Sequence, residues 1–171
     1  VEILGVLRGI RLARLEVAPV SYNPVTGIIK VYNDVEIEVN FTGSDAVLTE
    51  QIRTSTFSPY FEPIYNTILN SRDTYDDHPD LTTYPVKYAI VADRMFENTL
   101  QPFIDWKTKK GFNVVTTYTD IIGSSAANIQ SWVHDQYNSG VPEDPAPSFV
   151  LFVGDVAQIP ASTTGSSSGQ V

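Results

Sequence analysis

The sequence contains no cysteine. Disulfides, thiolate metal ligands and a cysteine nucleophile are therefore absent from the chain itself. Histidine is scarce as well. His78 and His134 are the only two, too few for a histidine-rich metal cage. Bases are outnumbered, 11 against 20 acids, for a net charge of −9. A duplex nucleic-acid binder wants a basic face, so no nucleic-acid partner is expected. Long apolar runs are missing, and none approaches the ~18 residues of a membrane span. An initiator and a leader are missing too: the chain opens on Val1 and closes on a Ser/Gly-rich tail at 166–171. It reads as an internal piece of a longer protein.

What is present suits a folded chain. Of 171 residues, 42% are hydrophobic and 11% aromatic, which excludes wholesale disorder and leaves room for one medium domain or two small ones. The acid load is uneven. Residues 1–72 carry 6 bases and 8 acids, residues 73–171 carry 5 and 12.

Residues 3–41 read as antiparallel β with one wet face. Residues 12–18 half-alternate apolar and polar. Tyr22-Asn23-Pro24-Val25-Thr26-Gly27 is a turn, because Pro fixes φ and Gly supplies positive φ. Residues 29–33 alternate again. Residues 35–41 do so most cleanly, with Val35, Ile37, Val39 and Phe41 on one face and Glu36, Glu38 and Asn40 on the other. Residues 42–85 read as a connection, with a short helix after Ser58-Pro59. The stretch 70–80 is polar, acidic and aperiodic, an exposed linker.

Residues 86–160 change character. An apolar strand at 86–92 precedes a helical stripe of Phe96, Leu100, Phe103 and Ile104. Lys107, Lys109 and Lys110 crowd the end of that helix as a solvated group, and Gly111 stops it. A second strand at 112–118 leads to a helix capped by Ser124 or Ser125, with a stripe of Ile129, Trp132, Val133 and Tyr137. Gly140 ends this helix. The continuous apolar run 149–153 suits a parallel strand buried on both faces. The order β-α-β-α-β implies a small parallel sheet with right-handed crossovers. The fold class is thus α/β, a parallel βαβαβ sheet preceded by antiparallel strands.

Parallel sheets place ligands at the carboxyl ends of their strands. Asp93 follows the first strand, Asp120 the second, and Gly154 with Asp155 the third. These four form a candidate rim. They also fit ordinary turn residues, and the two readings stay open. The first loop has no Gly-x-Gly-x-x-Gly and no Walker lysine, so a nucleotide site is not supported. His134 and His78 read as solvent-facing surface residues. The arginines at 8, 11 and 14 read as guards on strand edges. Arg72 lies in the polar linker, where a protease would nick, or is a plain linker arginine.

Several motifs in fixed order resemble the gingipain family of bacterial cysteine peptidases, in particular its lysine-specific branch. They are the Trp106-Lys107 segment before Gly111, Val153-Gly154-Asp155 with Ile159-Pro160, Tyr22-Asn23-Pro24-Val25-Thr26 with the run 35–41, and Ser58-Pro59-Tyr60-Phe61. Ser71-Arg72-Asp73 followed by Tyr75, Asp76, His78 and Asp80 is similar to a propeptide junction. The resemblance implies that residues 1–72 are the C-terminal part of an inhibitory propeptide. Residues 73–171 would then open a caspase-like catalytic domain with its first, non-catalytic subdomain. It implies processing between Arg72 and Asp73, secretion or a cell-surface place, protein substrates for the parent, and the remainder of the catalytic domain as partner. No cofactor is required, structural calcium is allowed, and no calcium ligand is matched. The family's catalytic His and Cys match no position here, so no catalytic residue is carried over and the chain alone would be inactive. A second class stays beside this one: a non-enzymatic interaction or inhibitor module built from a β unit and an α/β scaffold. A weaker third is a small-ligand binder at the Asp93, Asp120 and Asp155 rim.

Overall fold

The computed structural model describes residues 1–40, 42–43, 45–69 and 85–161. The chain forms two compact units, Val1–Arg53 and Thr54–Val171.

The first unit is built from hairpins. Strand β1 (Glu2–Leu7) pairs antiparallel with β2 (Ile10–Arg14). Arg8 (φ 45°) and Gly9 (φ 81°) make the two-residue turn between them, and two positive φ values match the twist of a tight hairpin. Arg8 is buried there rather than set out at a strand edge as the sequence suggests. Strand β3 (Val20–Asn23) pairs with β4 (Ile28–Val31). The expected turn lies between them. Asn23 Oδ1 accepts from the Val25 and Thr26 amides at 3.0 and 3.3 Å, and Gly27 takes φ 68°.

Two expectations change in this unit. Residues 35–40 join no ladder among the described residues, despite their clean alternation, and Phe41 lies outside those residues. Val35, Ile37 and Val39 are exposed. Alternation shows that one face can be buried, but a strand exists only where an edge pairs with it. The connection at 42–85 also contains an unexpected helix, α1 (Ala46–Thr56). Asp45 starts it, its Oδ1 accepting from the Leu48 amide at 3.0 Å, as an N-cap does.

The second unit holds the parallel sheet. Ser58-Pro59 opens a 3-10 turn (Pro59–Phe61) that runs into α2 (Glu62–Tyr65), where Pro supplies a preset φ. Strand β5 (Lys87–Ala92) leads through a turn at Arg94–Phe96 to α3 (Glu97–Lys109). Strand β6 (Asn113–Tyr118), α4 (Thr119–Ile122), α5 (Ala126–Asn138) and β7 (Phe149–Val153) follow. The sheet order is β6-β5-β7, all parallel. The first crossover runs from β5 out to β6 and the second runs back from β6 over β5 to β7, and right-handed crossovers in opposite directions put α3 and α5 on opposite faces.

The core sits on the central strand. Ala89, Ile90, Val91 and Ala92 are buried. Ile90 and Ala92 pack with Leu100, Phe103 and Ile104 of α3 and with Val114, Tyr118, Leu151 and Val153 of the flanking strands. Strand β7, expected to be buried on both faces, is an edge strand among the described residues. Val150 and Phe152 on its second face remain 39% and 49% exposed. A continuous apolar run does not say which strand is central. The central place goes to β5, the strand that both crossovers start from or span. Ser125 is the N-cap of α5, accepting from the Asn128 amide at 3.2 Å, and His134 is exposed on that helix as expected. No helix among the described residues is long and apolar enough to cross a membrane.

Candidate functional site at the carboxyl edge of the sheet

The parallel register fixes where the candidate residues fall. Ala92, Tyr118 and Val153 lie side by side at the ends of β5, β6 and β7. Asp93, Thr119 with Asp120, and Gly154 with Asp155 follow them, so all three acids share the carboxyl edge.

Each carboxylate there has work of its own. Asp93 caps the turn after β5: its Oδ1 accepts from the Met95 amide at 2.9 Å. Its Oδ2 accepts from the buried Thr119 hydroxyl at 3.4 Å. The Asp93 amide donates to the Val153 carbonyl at 3.3 Å, which ties β5 to β7 where the strand order reverses. Reversal points of this kind form the ligand crevices of open α/β sheets.

Asp120 takes a two-point bond from Arg94. Nε donates to Oδ2 at 3.0 Å and the terminal nitrogen to Oδ1 at 3.2 Å. Arg94 also bonds Glu97 at 3.1 Å and lies 4.0 Å from the Tyr118 ring centre. The bond to Asp120 raises the Arg94 pKa above its ordinary value. A planar fork over an aromatic face is a geometry that arginine makes and lysine cannot. This side chain is the member of the edge that sequence reasoning missed. Its signal was position alone, directly after Asp93.

Asp155 folds back on its own loop. Its Oδ1 accepts from the Val156 amide at 2.7 Å, and its carbonyl accepts from the Gln158 and Ile159 amides. Gly154 permits this bend at φ 150°, and a Cβ there would stand 2.8 Å from the Gln158 Cβ. Calcium requires six to eight oxygen ligands. No three His, Cys, Asp or Glu side chains gather around a possible metal position among the described residues.

The opposite, amino edge is also ordered. Lys87 is 3% exposed and its Nζ lies 2.7 Å from Asp144 Oδ2, a carboxylate that is 51% exposed. Asn113 donates to the other oxygen of Asp144 at 3.2 Å. Tyr88, Phe112 and Phe149 cluster with ring centres 5.5–6.0 Å apart. Lys107 is not a solvated helix end. Its ammonium sits 4.7 Å from the Tyr88 ring and 5.1 Å from Phe112, because its stem runs along apolar surface. Lys110 instead covers Trp106 at 4.3 Å.

Arg72, Asp73 and His78 lie outside the described residues.

Two family models match successive parts of the chain. Residues 3–77 match the Propeptide C25 family and residues 81–168 match peptidase family C25. Lys-gingipain of Porphyromonas gingivalis is 43% identical over 157 residues, 91% of this chain and 9% of that protein. Gingipain R2 of the same species is 30% identical over 170 residues, 97% of this chain and 23% of its own. The chain thus spans about a tenth of the length of the Lys-gingipains it matches. A solved structure described as "Structure of Protease" is 38% identical, with a TM-score of 0.44 over 53% of this chain and 20% of that one. The two family matches meet between residues 77 and 81 and together run through nearly the whole sequence, and the chain belongs to the gingipain family of C25 peptidases, carrying propeptide and peptidase sequence in one polypeptide.

Proposed function

We propose that this chain is the junction region of the zymogen of a secreted cysteine endopeptidase that cleaves after basic residues. Residues 1–72 act as the C-terminal part of its inhibitory propeptide. Residues 73–171 act as the first subdomain of a caspase-like catalytic domain. The observation that carries the reading is the meeting of the two family matches within a linker that holds one arginine among acids.

The roles follow from what the chain has. With no cysteine, the nucleophile comes from elsewhere in the parent. There a thiolate attacks the peptide carbonyl, a histidine handles protons, and backbone amides hold the oxyanion. The β6-β5-β7 sheet supports that half. Its Arg94 and Asp120 bond and the Asp93 cap hold the carboxyl edge in one shape. Arg72 is the residue on the acyl side of the maturation cut, and Asp73 becomes the new N-terminus. A basic side chain at that position suits a peptidase of basic specificity acting on its own precursor.

Arg72→Ala in the full-length precursor tests this reading. Release of the propeptide is expected to stop, read by N-terminal sequencing of the mature enzyme. Processing that continues at an unchanged rate and position refutes the assignment.

A further inference from the structure

At its amino edge the sheet of the second unit carries a groove, and a stretch of the chain lies in it. Residues 54–69 belong to this unit. Ser58 is fully buried there, Thr56 and Tyr65 are buried, and Tyr60 is half exposed. The walls come from residues 112–149, inside the peptidase match, while the occupant lies inside the propeptide match.

The chemistry of the walls defines what they read. The Ser148 hydroxyl donates to the Ser58 hydroxyl at 2.6 Å. Ser58 is 0% exposed, so that position takes a small residue with a hydroxyl. Pro59 opens a 3-10 turn with a preset φ. The Tyr60 ring then stands edge-on to Phe149 at 4.7 Å and lies 6.0 Å from Phe112. The Ala146 amide donates to the Ser55 carbonyl at 2.8 Å, a contact that any residue type supplies. Gly140 leaves room for it. A Cβ at that position would stand 2.6 Å from the Ser55 carbonyl oxygen and 2.7 Å from the Ala146 nitrogen. The Ser148 amide donates to the Lys87 carbonyl at 3.0 Å, so the wall is fixed to the central strand and does not depend on its occupant. Residues 54–69 hold no lysine or arginine, so the groove reads no basic side chain.

We propose that the groove formed by Phe112, Gly140, Ala146, Ser148 and Phe149 is a docking site on the mature peptidase for protein substrates, and that it takes segments in which a serine or threonine, a proline and an aromatic residue follow one another. The inference rests on the reading of residues 1–72 as propeptide and of the parent as an endopeptidase that cleaves after basic residues. The precursor holds the arrangement in one chain, since Tyr60 lies 12 positions before Arg72. A dozen extended residues span at most about 40 Å, which sets the reach over which a docked segment presents a basic residue. A substrate with Ser-Pro-Tyr about a dozen residues ahead of a lysine or arginine is held at two points, and the effective concentration of its scissile bond rises. Docking remote from the reacting bond favours bound substrate and transition state alike, so it lowers KM and leaves kcat as it is.

The test uses the mature parent enzyme, with its N-terminus and mass determined first. A fluorescent synthetic peptide of residues 54–69 is the probe, and anisotropy follows its binding. Saturable binding is expected. Ser58→Ala in the peptide is expected to weaken it about tenfold, because the buried Ser148 hydroxyl loses its acceptor. Tyr60→Phe in the peptide is expected to bind like the unchanged sequence, since the ring makes the contact. Gly140→Ala in the enzyme is expected to weaken binding at least as much, with circular dichroism reporting its fold. Two protein substrates are then compared, identical except for Ser-Pro-Tyr or Ala-Gly-Ala about a dozen residues before one lysine. The first is expected to show a KM several-fold lower at the same kcat, and excess unlabelled peptide is expected to abolish the difference. An enzyme that begins at Asp73 and does not bind the peptide overturns the proposal and leaves the propeptide reading standing. An enzyme that still carries residues 54–69 overturns that reading and the proposal with it. Equal KM values, or binding indifferent to Ser58→Ala, overturn the proposal as well. So does a mature enzyme that is dimeric on gel filtration and is returned to monomer by the peptide, because a second copy then fills the groove.

Discussion

Replacing Asp144 by Asn removes one charge and keeps the shape of the side chain. The oxygen that accepts from Asn113 is kept as well. What remains is the Lys87 ammonium, 3% exposed at the start of the central strand, without its carboxylate at 2.7 Å. Breaking a fully buried ion pair from one side costs about 3–5 kcal/mol, because the partner stays charged and desolvated. Asp144 is half in water, so the pair is less than fully buried and the loss is set at about 2 kcal/mol. For a domain of about 100 residues, this lowers the Tm by about 8–16 °C. Thermal and urea melts followed by circular dichroism measure it. Lys87→Met with Asp144→Asn removes both charges, and the combined loss is expected to fall below about 1 kcal/mol, since an apolar replacement leaves nothing unpaired. Asp144→Asn costing under about 0.5 kcal/mol, with the double variant merely additive, refutes the reasoning. The pair would then be an ordinary surface contact.

Three further outcomes are expected. Gly154→Ala should cost about 1–3 kcal/mol in a denaturant melt, since its φ is 150° and the new methyl would meet Gln158 and Ile159 at 2.8 and 3.1 Å; an unchanged midpoint contradicts this. Arg94→Ala loses a two-point bond and a ring contact that are partly exposed, so a small drop in the denaturant midpoint is expected at low salt and most of that difference should vanish near 1 M salt. In α1, the bond from Arg53 holds the Glu50 carboxyl below its usual value. A lowered folded value stabilises above the unfolded pKa and is lost as pH falls through the folded one. Stability should therefore drop by a few tenths of a kcal/mol as the pH falls from about 5 to 3 in the wild type, and Glu50→Gln should flatten that step.

Much of the second unit was legible because its signals are local. The stripe of Phe96, Leu100, Phe103 and Ile104 and that of Ile129, Trp132, Val133 and Tyr137 put one face of each helix inward, and strand boundaries fell within a residue of those found. The carboxyl edge followed from strand order alone. What was not legible depends on neighbours distant in sequence. Residues 35–40 alternate cleanly yet have no ladder, since pairing is decided by another edge. Phe149 to Val153 read as buried on both faces because composition cannot show which strand gains two neighbours. Lys107 looked like a solvated end because the ring nearest its ammonium is that of Tyr88, 19 positions before it on another element. The helix at Ala46–Thr56 was missed although Asp45 announced it. Its apolar residues Val47, Leu48 and Ile52 are exposed, so the stripe that usually reveals a helix is weak.

The site that receives Tyr60 has a logical character. It needs Phe112 from the start of β6 and Phe149 from the start of β7, and Ser58 needs Ser148, 90 positions away. Neither crossover alone creates it. The segment can seat only when both strands have joined β5, so it distinguishes a finished sheet from a half-built one. Non-local closures of this length form late in folding. The seat is therefore a property of the completed three-stranded sheet and of neither crossover by itself.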